Sequence, residues 1–80
     1  MKQNELTWEN YDGFTSAYHD ESDAEINIEP VLNIRLDRDG TKRSWRVSDD
    51  TNATIAVGYA DNLRAAKREA VAALAAHLAT

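Results

Sequence analysis

The sequence predicts an α+β domain: an antiparallel β-meander of four to five strands, with one C-terminal α-helix packed on one sheet face. Apolar and polar residues alternate in several short stretches before residue 60, which is the period of half-buried strands. Clusters of Asp, Asn and Gly separate these stretches, as turns require. Residues 61–80 change to the helical period and are rich in alanine, the strongest helix former. Eighty residues are expected to form a single domain, residues 1–80.

The first two strands are predicted as a hairpin over residues 5–19, which turns at an Asp-Gly pair. From the alternation, Trp8 and Phe14 are expected to face the core, and Thr15 is expected to face solvent. A polar loop follows over residues 19–24.

The next alternation runs from residue 25 to residue 37 and is interrupted at Pro30, which cannot donate to a strand ladder. This stretch is therefore an edge strand or two strands bent at the proline. The turn at residues 37–40 contains a glycine, and the flanking residues alternate again. Residues 31–48 are accordingly predicted to form a hairpin, in which Trp45 faces the core.

The last strand is predicted over residues 53–59, after a turn at residues 49–52. Ile55 and Val57 are expected to face the core because they share a parity. The sheet face opposite the helix is expected to be exposed to solvent, as in most antiparallel sheets that carry helices on one side.

Asp61 is the predicted N-cap of the C-terminal helix, since an aspartate both caps the helix and suits its dipole. A single stripe is expected to pack on the sheet and to include Ala70 and, near the helix end, His77. Ala72 lies on the far side. The helix outside the stripe carries Arg64, Lys67, Arg68 and Glu69.

The chain has 9 Lys and Arg against 14 Asp and Glu, which gives a net charge of −5, and it has no Cys. Cysteine-based zinc sites and disulfide frameworks are therefore excluded. No signal peptide or membrane-spanning stretch is apparent, so a cytoplasmic location without membrane contact is expected. Residues 1–30 carry most of the acidic side chains, whereas residues 31–48 have an excess of Lys and Arg.

Catalytic groups are sparse, and we expect no enzyme activity, no cofactor and no metal site. The two histidines, His19 and His77, lie far apart in the sequence, and no glycine-rich phosphate loop is present. The acidic stretch after His19, residues 20–23, is more simply interpreted as a solvated loop than as a cation site.

One pattern extends over most of the chain: Trp8, then an Asp-Gly-Phe turn, then Trp45-Arg46-Val47, then GYADNLRAAK from residue 58. This pattern resembles small proteins of phages and prophages, and the resemblance implies a small protein without an assigned activity. The segment GYADNLRAAKREAVAAL also resembles the closing strand, turn and helix of a double-stranded-RNA-binding domain. That family has a pair of lysines at the positions of Leu63 and Arg64. This second resemblance therefore implies a shared strand–turn–helix geometry.

The sequence is therefore most consistent with a small acidic interaction protein, in the style of a phage effector that binds and modulates a host protein. Its expected partner is another protein, and its expected state is a monomer or a weak homodimer. The candidate binding residues are Arg35, Arg46, Arg43 and Tyr11, because arginines and exposed aromatic side chains are enriched at interfaces. A solvated face without a partner is the simpler alternative.

Two other functions remain open at this point. The first is nucleic-acid binding through the basic hairpin of residues 31–48, with its cations Arg35, Lys42, Arg43 and Arg46, together with Arg64, Lys67 and Arg68 of the helix. The acidic N-terminal third disfavours this function because it repels phosphates. The second is mimicry of a nucleic acid by the N-terminal carboxylates.

Overall fold

The computed structural model describes residues 6–31 and 40–79, and in these residues the predicted α+β fold is confirmed. The elements are β1 (Leu6–Tyr11), β2 (Phe14–His19), β3 (Ala24–Pro30), β4 (Arg43–Ser48), β5 (Thr54–Ala60) and α1 (Leu63–Leu78). Each strand pairs antiparallel with the next, so the sheet order is β1-β2-β3-β4-β5. The helix packs mainly on β5 and β4 and less on β3. No helix among the described residues is both long and apolar enough to cross a bilayer.

The register of the sheet assigns its residues to two faces. One row, paired in line from strand to strand, consists of Trp8, Ala17, Ile26, Val47 and Ala56. This row points toward α1, and we call its side of the sheet the helix face. Neighbouring residues in each strand point to the opposite side, which we call the open face.

The core lies between the helix face and one stripe of α1. Its best-buried apolar side chains are at most 1% exposed: Ile26, Ile28, Val47, Ala66, Ala70 and Leu74. The three helix residues are spaced by four, so they follow one side of the helix. Alanine at two of these positions brings the helix axis close to the sheet, while Leu74 fills the space at the far end. The expected packing of Ala70, with Ala72 exposed on the far side, is confirmed.

Trp45 lies half-buried on the helix face and packs against the core, as predicted. Its strand partner on β5 is Gly58. A Cβ atom at Gly58 would lie 2.5 Å from Cζ2 of the indole and 2.9 Å from its Nε1, which is closer than real Cβ contacts. The indole therefore occupies the space that a side chain at Gly58 would need, and this explains the glycine inside a strand.

Two turns have the chemistry that the sequence indicated. In the β1–β2 turn, Asp12 and Gly13 both adopt positive φ, 50° and 84°, which is the backbone of a tight hairpin turn. In the β4–β5 turn, Asp49 Oδ1 accepts hydrogen bonds from the Thr51 N–H at 2.9 Å, the Thr51 hydroxyl at 2.7 Å and the Ala53 N–H at 2.9 Å. The hydrogen bond from the Thr51 hydroxyl is the main reason that the pKa of Asp49 lies below its usual value.

The helix begins one residue later than predicted. The N-cap is Asn62, whose Oδ1 accepts a hydrogen bond from the Ala65 N–H at 2.8 Å, so the prediction of Asp61 as the cap was wrong. Asn62 is extended, with φ −157° and ψ 172°, which is the backbone that a cap residue needs. His77, which was expected to pack, is exposed.

Two predictions of strand parity were also wrong. Val57 is 66% exposed and lies on the open face, because a register irregularity between Val47 and Ser48 shifts the alternation of β5. In β2 the two sides are exchanged: Phe14 is 49% exposed, whereas Thr15 is buried and donates a hydrogen bond to Asn10 Oδ1 at 2.7 Å. The aromatic ring at the hairpin turn had favoured the opposite assignment.

The strand pairing that the structure shows for β4 differs from the hairpin predicted over residues 31–48. β4 pairs with residues 25–30 on one side and with β5 on the other, so both of its edges are occupied. β3 ends at Pro30, the residue whose missing N–H cannot extend the ladder. The rest of the predicted partner strand and its turn fall largely on residues 32–39, which lie outside the described residues.

Candidate interaction surface

The open face carries an unusual number of large apolar side chains. Tyr11 is 80% exposed, Tyr59 72% and Val57 66%, and the rings of Phe14 and Tyr18 are also substantially exposed. The register places all five on the side of the sheet opposite α1. Tyr11 was the one aromatic residue among the predicted binding residues, and this choice was too narrow because Phe14, Tyr18 and Tyr59 are exposed as well. An exposed group of this kind is typical of a contact surface.

Two shallow depressions shape the open face. The larger, about 500 Å³, lies over β3–β5 and includes Ser44, Arg46, Val57 and Tyr59 in its lining. The smaller, about 160 Å³, lies over β1–β3, and its lining includes Tyr11 and Phe14. Asn27 and Glu29 line both depressions. The two depressions therefore adjoin at β3 and form one uneven surface across the sheet, which spans roughly 19 Å for five strands.

The charge of the open face is acidic. Glu25 and Glu29 of β3 and Glu9 of β1 point to this side, and Arg46 of β4 lies among them in the register. The Arg46 guanidinium makes one long hydrogen bond, 3.5 Å from Nη2 to Asn52 Oδ1. Tyr18 donates a hydrogen bond to the Asp23 carboxylate, which raises the pKa of the Tyr18 hydroxyl.

The four predicted binding residues do not form one site. Arg46 and Tyr11 share the open face but lie on β4 and β1, which β2 and β3 separate in the sheet. Arg43 has the opposite parity and lies on the helix face, where its Nη1 donates to the carbonyl oxygens of Gly40 at 3.1 Å and Lys42 at 3.0 Å. Arg35 lies outside the described residues.

A second surface lies between β1 and the flank of α1, and we call it the basic groove. Its volume is about 470 Å³, and its lining consists of Trp8, Arg64, Lys67, Arg68 and Val71. The four helix residues are spaced i, i+3, i+4 and i+7, so they form one stripe on the helix. Lys67 Nζ stands 5.0 Å from the centroid of the Trp8 ring, within the range of a cation–π contact.

Sequence reasoning missed this groove, although both of its halves were visible. The helix cations were identified as lying away from the core stripe, and Trp8 was correctly assigned to the helix face. Their meeting depends on where α1 crosses the sheet, because the helix rests on β3–β5 and leaves the β1 side of the helix face less covered. The extent of the open face was also missed, because the shifted parity of β5 moves Val57 to that side of the sheet.

The histidine at the end of β2 lies inside the protein. His19 is 2% exposed, and its Nδ1 lies 2.7 Å from the Ser22 hydroxyl. Within residues 6–31 and 40–79, no group of three His, Asp or Glu side chains is arranged to hold a metal ion.

Comparison with protein-family models, with curated proteins and with solved structures gave no match for this chain.

Proposed function

We propose that this protein is a non-catalytic interaction module whose open face binds a protein with basic and apolar side chains. The observation that carries the proposal is the group of five exposed large side chains on one sheet face, interspersed with carboxylates. Aromatic side chains bury much area at small entropic cost, and such residues dominate the binding energy of many interfaces.

The charges favour a protein over a nucleic acid at this surface. Glu9, Glu25 and Glu29 point to the same side as the aromatic rings, and they would repel the phosphates of a nucleic acid that stacked its bases there. A basic protein surface would instead gain from these carboxylates, because Arg and Lys pair with them through charge-assisted hydrogen bonds. Arg46 adds one cation that can select an acidic group in the centre of the partner's surface.

The geometry also weighs against the basic hairpin as a nucleic-acid site. Arg46 and Arg43 belong to the same strand but point to opposite faces, so they cannot contact one phosphate backbone together. The resemblance to phage proteins supports a cytoplasmic host protein as the target. Self-association through the open face would bring the same carboxylates together, which supports a monomer or a weak homodimer.

Nucleic-acid mimicry is a specific form of this proposal. The observation in its favour is that carboxylates from two strands are held on one rigid face. In this form the partner is itself a nucleic-acid-binding protein, and duplex DNA or RNA would compete with this protein for it. A host protein without nucleic-acid affinity would bind equally well in the presence of nucleic acid.

Photo-crosslinking tests the proposal. A benzoylphenylalanine residue replaces Tyr59 or Tyr11 on the open face, and in control proteins it replaces Ala72 or Ala76 on the outer side of α1. All four positions are exposed, so none of the changes should disturb the core. In lysate of the source cell, the open-face positions should give a discrete protein adduct that survives nuclease. Adducts that disappear with nuclease, or that form equally at Ala72 and Ala76, would contradict the proposal.

A further inference from the structure

β1 is an edge strand, because β2 is its one neighbour in the sheet that the described residues form. In an antiparallel edge strand, every second residue directs its backbone N–H and C=O away from the sheet. β1 has no proline, and its edge can pair with an extended peptide.

The basic groove lies immediately beside this edge, since Trp8 of β1 lines it. Side chains that stand opposite each other in a ladder share a face. A strand added next to β1 would therefore direct every second side chain to the helix face, as Trp8 is directed. Those side chains would enter the basic groove, and the alternate ones would extend the open face.

From this juxtaposition we infer that an extended acidic segment of a partner protein adds to β1 as a sixth strand. Its alternate carboxylates pair with Arg64, Lys67 and Arg68, and its backbone pairs with the outer edge of β1. This contact is independent of the open face, and it supplies a second binding surface on the same domain.

Charge complementarity identifies the occupant. Among the described residues, none of the three cations pairs with a carboxylate; the one contact that the structure shows for them is Lys67 over the Trp8 ring. Two of them are arginines, which bind carboxylates bidentately. Val71 and Trp8 provide an apolar floor beneath the cations, which suits the aliphatic part of a glutamate side chain.

A second copy of this chain fits the groove poorly. Pairing of β1 with β1 of another copy would place two basic grooves next to each other, and their cations would repel. The residues of β1 that point to the helix face include no acid: they are Leu6, Trp8 and Asn10, of which Trp8 lines the groove.

A nucleic acid is also a poorer match. The edge of β1 presents both N–H donors and C=O acceptors, and a peptide backbone complements both kinds of group. A phosphodiester backbone offers only acceptors to this edge, so the carbonyl groups of β1 would lose their hydrogen bonds to water without replacement. Glu9 of the same strand adds repulsion.

NMR titration of the unaltered chain tests the inference with a defined probe, an eight-residue peptide of alternating Glu and Thr with blocked ends. The protein has two tryptophans, so two indole N–H signals report on binding. The Trp8 signal should shift, because carboxylates draw Lys67 away from the ring, while the Trp45 signal should stay in place as an internal control. Alternate amides of β1 should also gain protection from exchange.

Matched variants separate the groove from the rest of the surface. Lys67→Gln with Arg68→Gln should weaken peptide binding at least about tenfold, since hydrogen bonds between charged groups are lost. Arg46→Gln on the open face should change the affinity less than about twofold. A peptide with Lys in place of Glu, and one with a central Pro, should bind much more weakly than the acidic probe.

Four results would overturn the inference. They are an unshifted Trp8 signal at millimolar peptide, equal affinity for the peptide with a central Pro, equal affinity in the Lys67→Gln/Arg68→Gln protein, and tighter binding of single-stranded oligothymidylate than of the acidic peptide. The last result would assign the groove to nucleic acid.

Discussion

The open face and the basic groove lie on opposite sides of one sheet, and their charges have opposite sign. On the open face, glutamates surround exposed tyrosines; in the groove, Arg64, Lys67 and Arg68 surround the half-buried Trp8. Within β1 the two surfaces alternate from residue to residue, because Trp8 belongs to the groove and Glu9 to the open face. The net charge of −5 conceals this separation.

Strand parity decides what each surface can bind. A single sheet offers two chemically different faces because successive side chains point to opposite sides. The helix then determines which part of one face stays accessible. Here it leaves the β1 side of the helix face open and places its own basic flank there.

The most severe test of the two faces uses one substitution at two positions. Val47 is fully buried on the helix face, and Val57 is 66% exposed on the open face. Val47→Ala should lower the free energy of unfolding by about 2–3 kcal/mol, from lost burial and a residual cavity. Val57→Ala should change it by less than about 0.5 kcal/mol. Chemical denaturation measures the two free energies of unfolding. Similar losses at the two positions would mean that Val57 is buried as Val47 is, which would contradict the assignment of Val57 to the open face.

Gly58 tests the helix face of β5 more locally. Gly58→Ala should cost about 1–3 kcal/mol because the new methyl group meets the Trp45 indole. In a Trp45→Phe background the smaller ring frees that space, so the cost of the same substitution should fall. A double-mutant cycle from denaturation curves measures this coupling. Additive effects of the two changes would mean that indole and strand are not in contact.

The start of α1 fixes the positions of Arg64 and Lys67 in the groove. Asn62→Ala should destabilise the protein by about 1 kcal/mol, because the Ala65 N–H loses its side-chain acceptor. Asp61→Ala is the matched control and should cost less, since Asp61 lies outside the cap. Thermal unfolding of both variants distinguishes them, and a larger loss for Asp61→Ala would move the helix start back by one residue.

The β4–β5 turn contacts the open face through Asn52, which accepts a hydrogen bond from Arg46. The folded state lowers the pKa of Asp49, so its stabilising effect is fully present above the unfolded pKa of about 3.9 and is lost as pH falls through the folded pKa. Relative to Asp49→Asn, the protein should be more stable at neutral pH, and this small advantage should shrink in acid. Melting curves from pH 7 to pH 3 measure it; an advantage that grows in acid would contradict the assignment.

Much of the fold could be predicted from local sequence. The alternation in β3 and β4, the Asp-Gly turn and the alanine-rich helix each reflect short-range chemistry, and the meander follows when neighbouring strands are joined by short turns. Trp8, Trp45 and Ala70 were assigned correctly to the core side. The alternation of a strand or the period of a helix is enough to place such residues on the buried side.

The two surfaces were harder to predict because they depend on long-range geometry. The irregularity opposite Val47 and Ser48 reverses the parity of β5, and no residue type in β5 marks it clearly. At β3, the alternation continues beyond Pro30, so the pattern alone could not show where the strand ends. The basic groove requires the crossing position of α1, which packing of the whole core determines.

The most direct test of the proposed function measures the Tyr59 crosslink in two charge-reversed proteins. One carries Glu9→Lys and Glu29→Lys on the open face, and the other carries Lys67→Glu and Arg68→Glu in the basic groove. Three of the four positions are exposed and Lys67 is half-buried, and circular dichroism would verify that both proteins fold. The open-face reversal should abolish the nuclease-resistant protein adduct, whereas the groove reversal should leave the yield of this adduct unchanged. An adduct that persists in the first protein and disappears in the second would contradict the proposed function.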